Sequence, residues 1–249
     1  MTNDIRFDFA GTTALLTGGT SGIGHATATL MRDAGAYVTV TGTRASASDY
    51  EVDLAGLTYR QLIVTDHDSV DALAAELDSV DVLVNNAGAN FPGGLDESTS
   101  EGFAASVELN LLAPYRLTSA CHRALARSSA AGGASVVMLA SLAALRAVPI
   151  VPGYGSAKAG ILALTRNLAV KWAPDRIRVN AVVPGVTATR MTAPMDYVPE
   201  AKQAQIDHIP LGRFAEPNEI ATAIAYLCSG AAAYTTGAAL VVDGGYSNL

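Results

Sequence analysis

The stretch Thr17-Gly18-Gly19-Thr20-Ser21-Gly22-Ile23-Gly24 lies between a short apolar run, residues 12–17, and an Ala-rich run, residues 22–33. We predict a strand for the first run and a helix for the second. The glycines permit a tight turn and allow a pyrophosphate to approach the main chain closely. The N–H groups and partial positive charge at the start of a helix favour a phosphate. A glycine cluster alone can be only a turn, but this one follows the first strand of several β-α units, which favours phosphate binding.

The same alternation of short β-branched runs and longer Ala- and Leu-rich runs continues to the end of the chain. We predict strands over residues 12–17, 37–41, a run that ends at 62–64, 82–84, 135–139, 178–183 and 239–242. We predict helices over residues 22–33, 69–77 with Ser69 as the cap, 101–127, 153–172 and 218–228. Short apolar strands separated by helices indicate a parallel sheet covered on both faces. We therefore predict the α/β class and a single domain over residues 1–249, since no linker or repeat divides the chain.

Two stretches lack a regular period. Residues 43–57 form a crossover that we predict to be mostly loop. Residues 190–213 contain several prolines, and Pro184 lies just upstream. Ligands of open α/β sheets bind beyond the C-terminal ends of the strands, so we predict that 190–213 is a substrate-binding lid. Its apolar residues suggest a moderately apolar substrate, although a loop packed on the core would carry them equally.

The charge balance argues against nucleic acid as a partner. The chain of 249 residues has 16 Lys and Arg against 23 Asp and Glu, a net charge of −7, and no basic cluster offsets it. An acidic protein repels phosphate backbones. Because 50% of the residues are hydrophobic and only 16% are charged, a large core can form. We also expect part of the apolar surface to be covered in an oligomer.

No feature of the sequence predicts a metal site, a disulfide or a membrane segment. Cys121 and Cys228 lie far apart in apolar segments, and the four histidines lack the spacing of metal ligands. We interpret both cysteines as buried, reduced thiols. The polar N-terminus has no apolar region of a signal peptide, and no window approaches the ~20 apolar residues of a membrane span. These observations predict a cytoplasmic protein.

Further motifs follow the glycine-rich stretch. They are Asn85-Asn86-Ala87-Gly88, Asn110, Ser141, Tyr154-x-x-x-Lys158, Asn180, Pro184-Gly185 and Asp243-Gly244-Gly245. Together with the TGxxxGxG spacing, their order resembles the short-chain dehydrogenase/reductase family of the classical type, over nearly the whole chain. The resemblance implies a Rossmann-type, doubly wound parallel sheet of seven strands that binds NAD(P). It also implies a homotetramer assembled through long helices such as 101–127 and 153–172.

Tyr154 and Lys158 are four residues apart on a predicted helix and therefore share one face. The lysine ammonium, together with the positive charge of an oxidised nicotinamide, is expected to lower the phenol pKa from its usual ~10, so that Tyr154 can exchange a proton near neutral pH. Ser141 follows the fifth strand and can hydrogen-bond the same substrate oxygen. The resemblance implies that Asn110 holds a water behind the lysine for proton relay. The predicted catalytic residues are Asn110, Ser141, Tyr154 and Lys158.

Each of these residues has a simpler interpretation when it is taken alone. A Tyr-x-x-x-Lys pair is common on helices, a serine after a strand is usually an ordinary strand-end hydroxyl, and an asparagine can be a kink or a cap. Their order along the chain, downstream of the glycine-rich stretch, favours the catalytic interpretation.

The resemblance also assigns cofactor contacts. It implies that Lys158 reaches the nicotinamide ribose and that Thr187 and Thr189 hold the carboxamide, whereas Asp243-Gly244-Gly245 is a structural turn. The predicted cofactor-binding residues are Gly18, Thr20, Ser21, Gly22, Ile23, Gly24, Thr43, Arg44, Val64, Asn86, Ala87, Gly88, Tyr154, Lys158, Pro184, Gly185, Thr187 and Thr189.

NADP(H) is favoured over NAD(H) by the end of the second strand. NAD-preferring relatives carry an aspartate that binds the adenine ribose diol there, whereas this chain has Gly42, followed by Thr43 and Arg44. Two alternatives stay open, because Thr20 replaces the basic residue of many NADP-binding relatives and Arg44 could be a solvated loop cation. Ile63 also replaces the usual Asp or Asn near adenine, which would leave adenine recognition to backbone groups or Asp66.

The pattern predicts an NAD(P)-dependent oxidoreductase that interconverts a ketone and a secondary alcohol by hydride transfer, with Tyr154 as general acid/base. A small-molecule carbonyl or alcohol is favoured over a carrier-bound substrate, because the nearly uncharged segment 127–133 offers no docking site for an acidic carrier. The alternative is a non-catalytic NAD(P)-binding sensor on the same fold, although such proteins usually lose the tyrosine or the lysine. An enoyl reductase would have a wider gap between those two residues, and an extended epimerase a longer chain.

Overall fold

Seven short strands build the molecule, which is known here from a computed structural model that describes residues 5–248. The strands are β1 (Thr13–Leu16), β2 (Tyr37–Gly42), β3 (Thr58–Gln61), β4 (Val82–Asn85), β5 (Ala134–Leu139), β6 (Ile177–Pro184) and β7 (Ala239–Val242). All neighbouring pairs are parallel, in the order β3-β2-β1-β4-β5-β6-β7. This is the predicted doubly wound Rossmann-type sheet, and its strand order reverses direction between β1 and β4. The predicted domain, 1–249, includes residues 1–4 and 249, which lie outside the described residues.

Eight α-helices lie among the residues that the structure describes. They are α1 (Gly22–Asp33), α2 (His67–Glu76), α3 (Ser100–Val107), α4 (Ala113–Ala120), α5 (His122–Ala126), α6 (Pro152–Trp172), α7 (Pro199–Asp207) and α8 (Pro217–Cys228). None of these helices is long and apolar enough to cross a membrane. The cytoplasmic location expected from the sequence stays a prediction.

Helices cover both faces of the sheet and bury a core on each. Met31 of α1 and Ile224 of α8 pack on one face, whereas Leu117 of α4 and Ile161 of α6 pack on the other. Every residue of β4, β5 and β6 is buried, as expected for parallel strands between two helix layers. The site-bearing centre of the sheet is therefore rigid, while β3 and β7 form its half-exposed edges.

The start of α2 and the end of β3 differ from the prediction. β3 ends at Gln61 rather than at 62–64, because the chain turns away there through a hydrogen bond from Asp66 N to Ile63 O. α2 begins at His67 rather than at Ser69, because the Asp66 carboxylate accepts from Asp68 N at 3.1 Å and caps the helix one turn earlier. Ile63 and Val64 consequently lie in the connecting turn.

The predicted helix over residues 101–127 is interrupted twice. A π-helical turn over Glu108–Leu112 separates α3 from α4, and the chain breaks again at Cys121 before α5. The inserted residue of a π-turn rotates its side chain relative to the helix face, a feature common at functional sites. Here it turns the buried Asn110 inward.

The two stretches without a regular period, residues 43–57 and 190–213, differ in how well the structure agrees with the prediction. Within residues 43–57 the only helical turn is Ala47–Asp49, so this crossover is mostly loop, as predicted. Residues 190–213 are more ordered than expected, because they contain the turn Ala193–Tyr197 and the helix α7. α7 has no buried residue and lies on the surface, whereas Ile209, which follows it, is buried.

Candidate active site

The glycine-rich stretch forms a tight loop between β1 and α1. Gly18 and Gly22 have φ values of +65° and +50°, which side chains rarely adopt. A Cβ added at Gly24 would lie 2.3 Å from Gly18 O and 2.4 Å from Asn86 Nδ2. Main chain therefore packs directly on main chain here, which only glycine permits.

The start of α1 offers N–H groups beside this loop. The first hydrogen bond of the helix runs from His25 N to Ser21 O at 3.1 Å, so the amides of residues 22–24 have no acceptor within the helix. The Ser21 side chain makes no capping hydrogen bond, and the first turn contains no acidic residue. These groups fit the pyrophosphate of a dinucleotide.

The end of β4 is tied to the same loop. Asn86 Nδ2 donates to Thr17 O and Gly18 O, both at 3.0 Å, while the Thr17 hydroxyl accepts from Asn86 N and Ala87 N, also at 3.0 Å. The predicted contacts Asn86, Ala87 and Gly88 thus border the loop at the point where the strand order reverses. A Cβ at Gly88 would lie 2.6 Å from Asn110 Oδ1 and 3.4 Å from Lys158 Nζ, so this backbone also adjoins the predicted catalytic residues.

Four buried or half-buried side chains meet at the C-terminal ends of β4 and β5, and we call Asn110, Ser141, Tyr154 and Lys158 the catalytic cluster. Lys158 Nζ donates to Leu139 O at 2.7 Å and lies 5.4 Å from the centre of the Tyr154 ring. The Ser141 hydroxyl accepts from Ala143 N at 3.2 Å, and it lies near enough to the Tyr154 phenol to act on the pKa of that phenol. The structure therefore brings together the residues that the sequence predicted.

Asn110 holds the start of the loop after β4. Its Nδ2 donates to Ala89 O at 2.9 Å and to Ser106 O at 3.0 Å, and its Oδ1 accepts from Ala89 N at 3.2 Å. The π-turn directs this amide away from the helix, so it can bind both main-chain groups of Ala89. The role as a water holder, implied by the resemblance, stays a prediction.

Comparisons with known proteins agree with this geometry. The model of a family described as enoyl-(acyl carrier protein) reductase matches residues 18–247. The chain is 40% identical to the cis-4-hydroxycyclohexanecarboxylate dehydrogenase of Sinomonas cyclohexanicum, over 96% of this chain and 98% of the relative. A tropinone reductase homolog of Datura stramonium is 34% identical, over 98% of this chain and 95% of that one. A solved structure from Agrobacterium tumefaciens, described as a 2-deoxy-D-gluconate 3-dehydrogenase with bound NADP, superposes with a TM-score of 0.86 at 31% identity, over 99% of this chain and 100% of that chain.

The chain belongs to the short-chain dehydrogenase/reductase family. It is an NAD(P)-dependent oxidoreductase, and the dehydrogenases among its relatives indicate a small-molecule substrate. Within residues 5–248, no group of three or more His, Cys, Asp and Glu side chains could hold a metal ion.

The electrostatics of the catalytic cluster correct one expectation for this dehydrogenase/reductase. We expected the Lys158 ammonium, together with the charge of an oxidised nicotinamide, to lower the pKa of Tyr154. Instead, burial raises the pKa of the phenol, and the nearby charge of Glu97 raises it further, while the hydrogen bond with Ser141 opposes both. Lys158 Nζ is directed at Leu139 O rather than at the phenol, and burial lowers its pKa to about 8. The chain's own residues therefore favour a protonated Tyr154.

The segment after β6 faces the glycine-rich loop. The methyl group of Thr189 would lie 3.1 Å from a Cβ on Gly22, and Thr187 is buried beside a backbone bridge to Ala215. A Cβ on Gly185 would lie 2.6 Å from Asp243 Cα, so the Pro184-Gly185 main chain packs against the turn that follows β7. The predicted contacts of this segment thus lie opposite the free amides at the start of α1.

The end of β2 contains aromatic residues that the sequence analysis missed. We call Thr43, Arg44, Tyr50 and Tyr59 the β2-end cluster. A Cβ on Gly42 would lie 2.3 Å from Tyr50 Oη and 3.0 Å from the Thr20 methyl, so Tyr50 fills the space beside the glycine. The Arg44 guanidinium lies 5.0 Å above the Tyr50 ring and donates to Asp49 O, and Arg44 N donates to Tyr50 Oη at 2.9 Å.

Few polar side chains lie near the end of β3, where we expect the adenine to bind. Ile63 is exposed, and Val64 lines a small cavity with Thr17 and Ala87. Asp66, which we considered for adenine recognition, uses its carboxylate to cap α2. The only signal that could have indicated Tyr50 was its place in an irregular crossover directly after β2.

One further residue escaped the sequence analysis. Glu97 is buried, and its carboxylate accepts from Tyr154 N and Phe91 N. It follows Asp96 in a loop, in an acidic pair without a motif, so nothing in the sequence distinguished it from a solvated glutamate.

Proposed function

We propose that this enzyme interconverts a ketone and a secondary alcohol, with Tyr154 as the general acid/base. The observation that carries the proposal is the buried Tyr154 ring beside the buried Lys158, whose Nζ lies 5.4 Å from the ring centre, at the strand ends next to Ser141 and the glycine-rich loop. Two neighbouring hydroxyls can both hydrogen-bond one substrate oxygen. Lys158, one helical turn after Tyr154, is buried like the tyrosine, whereas Ser141 is half-buried.

Each residue has one task in this scheme. A bound nicotinamide supplies or accepts the hydride. Ser141 orients the substrate oxygen, and Tyr154 donates a proton to that oxygen in reduction or removes it in oxidation. Lys158 binds the nicotinamide ribose, and Asn110 keeps the loop after β4 in place through Ala89. Because burial raises the phenol pKa, the chain by itself holds the proton on Tyr154, as a reductase requires.

The proposed substrate is a cyclic ketone or cyclic secondary alcohol. The names of two relatives support this, since one is a cis-4-hydroxycyclohexanecarboxylate dehydrogenase and the other a tropinone reductase homolog. The lid over residues 190–213 exposes the apolar side chains of Met191, Tyr197 and Leu211. A lid with such a surface would cover an apolar ring and exclude water from the reacting carbon.

For the cofactor we propose NADP(H) in preference to NAD(H). Tyr50 leaves no room for an acidic side chain at Gly42, and Arg44 places a positive charge beside this strand end. The relative from Agrobacterium tumefaciens binds NADP. Titration with NADPH and NADH at one ionic strength, followed by nucleotide fluorescence, tests this. We expect NADPH to bind at least tenfold more tightly, about 1.4 kcal/mol, and equal or tighter NADH binding would contradict the proposal.

The catalytic role of Tyr154 is tested by Tyr154→Phe. We expect turnover of cyclic ketones and alcohols to fall by about a thousandfold or more, with nucleotide affinity unchanged, because only the proton donor is removed. Tyr234→Phe, which alters a fully exposed tyrosine, is the matched control and should behave as wild type. Substantial activity of Tyr154→Phe would refute the mechanism. Nucleotide binding without turnover of any carbonyl or alcohol would favour the sensor.

The homotetramer implied by the resemblance also stays a proposal. Exposed apolar side chains lie along the helices that would form the contact, including Phe103 of α3, Tyr115 of α4 and Val170 of α6. Large apolar side chains exposed on the surface are typical of interfaces. Light scattering should give the mass of four chains, and Tyr115→Glu should reduce it.

A further inference from the structure

Glu97 joins two parts of the candidate active site through its carboxylate. Its side chain is almost fully buried, since the residue is 1% exposed. Oε2 accepts from Tyr154 N at 2.7 Å, and Oε1 accepts from Phe91 N at 2.9 Å. One carboxylate therefore binds the main chain of the proposed proton donor and, at the same time, the loop that leaves β4.

The Tyr154 amide needs such an acceptor. It lies in the first turn of α6, and the first helical hydrogen bond recorded there runs from the next amide, Gly155 N, to Val151 O at 3.0 Å. Amides in a first turn have no acceptor within the helix. A carboxylate is a strong acceptor, and its charge is favoured at a helix N-terminus. Glu97 thus fixes the turn from which the phenol projects.

Close packing leaves the carboxylate little freedom. A Cβ on Gly153 would lie 3.1 Å from Glu97 Oε2 and 2.9 Å from Ser106 Cβ, so α6 approaches α3 as near as glycine allows. A Cβ on Gly102 would lie 2.0 Å from Asp96 O, so the start of α3 rests on the main chain just before Glu97. The side chain is therefore held between two helices.

At its other oxygen, Glu97 binds a strained part of the loop. Phe91 has a φ of +47°, an uncommon conformation for a residue with a bulky side chain, and such strain costs about 1–3 kcal/mol. The loop leaves the C-terminal end of β4, the side of an open α/β sheet on which ligands bind. Its first residue, Ala89, is held by Asn110. Glu97 therefore holds the far end of a loop whose near end belongs to the catalytic cluster.

The cost of this arrangement points to function. Burying a carboxylate is expensive, and none of the ion pairs found among residues 5–248 involves Glu97. A neutral, well-packed side chain would usually serve stability as well or better. Only a side chain with two acceptor oxygens can bind both amides at the same time.

We propose that Glu97 is a positioning residue that fixes the main chain of Tyr154 relative to the loop of residues 89–97, and so sets the distance between the phenol and the substrate. This inference rests on the proposed function of Tyr154. Its charge also acts at the phenol, because it raises the pKa of Tyr154 in addition to the larger effect of burial.

Two substitutions at position 97 separate the effect of side-chain length from the effect of charge. Glu97→Gln keeps the length but loses the charge and one of the two acceptor oxygens, whereas Glu97→Asp keeps the charge but is too short to reach both amides. We expect kcat to fall by about 10- to 100-fold in both variants, since an ångström of misplacement has effects of this order, with nucleotide affinity unchanged. In Glu97→Gln alone, the acid limb of the oxidation profile should move to lower pH, because the phenol pKa falls when the negative charge is removed.

Glu101→Gln is the matched control, since it removes a carboxylate four residues away that is exposed. It should leave kcat and the pH profile unchanged. If Glu97→Gln has wild-type kcat and an unshifted acid limb, the proposal is wrong. A lower melting temperature alone, with normal kcat in the folded protein, would likewise show a structural role only. Tyr154→Phe, measured beside it, distinguishes this failure from failure of the proposed function.

Hydrogen exchange provides a test that needs no variant to fold. In the wild-type protein, the amides of Tyr154 and Phe91 should exchange much more slowly than free peptide amides, because Glu97 accepts from both. The Gly102 amide, which donates to Thr99 Oγ1 at 3.1 Å, is an internal reference. Exchange of the Tyr154 amide at the rate of an unprotected peptide would overturn the proposal. In Glu97→Asp, at least one of the two amides should lose its protection while Gly102 keeps it.

Discussion

The catalytic cluster and the β2-end cluster lie at the two ends of one candidate cofactor site, yet they are built differently. Lys158 is 4% exposed and bonded to a strand carbonyl, and Asn110 is buried against Ala89. Arg44, by contrast, is exposed and rests on the half-buried Tyr50. Lys158 and Asn110 of the first cluster are held by main-chain acceptors, whereas three of the four members of the second lie in an irregular crossover.

Because of this difference, we expect the two clusters to affect different properties of the enzyme. A buried group that is hydrogen-bonded to the main chain cannot be exchanged without leaving a buried partner unsatisfied. An exposed pair on a loop can be exchanged without disturbing the sheet, so it can adjust cofactor preference. We therefore expect substitutions near the catalytic cluster to affect folding and turnover, and those at the β2-end cluster to affect only the choice of nucleotide.

The largest effect is expected where both clusters depend on the same loop, at Gly24. In Gly24→Ala the new Cβ would lie 2.3 Å from Gly18 O, a backbone atom that cannot move away without opening the loop. We expect the free energy of unfolding to fall by about 2–3 kcal/mol and the binding of both nucleotides to be lost. Chemical denaturation and fluorescence titration measure the two effects.

Gly230→Ala is the control, because a Cβ at Gly230 would meet nothing within 4 Å. It should match wild type in both measurements. If Gly24→Ala retained normal stability and nucleotide binding, the loop would be able to shift and accommodate the added methyl group. The two clusters would then not depend on one fixed loop conformation.

Lys158→Met is expected to change the pH dependence of stability. Burial lowers the pKa of Lys158 to about 8 from a normal 10.5, so above pH 8 the folded protein releases a proton that the unfolded chain still binds. Because the unfolded state then binds more protons, the stability of wild type should rise between about pH 8 and 10.5 relative to Lys158→Met, by up to about 3 kcal/mol. Denaturation curves of both proteins across this range measure the difference.

Lys171→Met removes an exposed lysine of the same helix and should follow the wild-type curve. Parallel curves for wild type and Lys158→Met would mean that the ammonium is not desolvated as its burial indicates. The catalytic cluster would then be as open to water as the β2-end cluster, and the contrast between them would disappear.

The sequence predicted the features that depend on local patterns along the chain. The alternation of apolar strands and helices predicted the parallel sheet, and the glycine-rich stretch was correctly located between β1 and α1. The residues Asn110, Ser141, Tyr154 and Lys158, which the resemblance selected, lie together. These features depend on local periodicity or on motifs in a fixed order, which a single sequence contains.

The features that escaped the sequence depend on contacts between distant segments. Glu97 accepts a hydrogen bond from Tyr154 N, which is 57 residues away in the sequence, and no local sequence pattern predicts this contact. Burial, which only the fold determines, raises the pKa of the Tyr154 phenol and so acts against the lowering that we expected from Lys158 and an oxidised nicotinamide together. Tyr50 reaches Gly42 through a loop without a period, so its position could not be read from spacing.

The smallest effect is expected at the β2-end cluster, with Arg44→Ser. If the guanidinium above Tyr50 binds the 2′-phosphate, its loss should weaken NADPH binding by about tenfold, or 1.4 kcal/mol, and leave NADH binding and stability unchanged. Arg60→Ser is the control, since Arg60 is an exposed arginine on β3 that pairs with Glu76 instead. Equal weakening of NADPH and NADH would indicate that Arg44 merely supports the crossover. Unchanged binding of both would make Arg44 a solvated cation, and the cofactor preference would then depend on Tyr50 and the space that it takes from position 42.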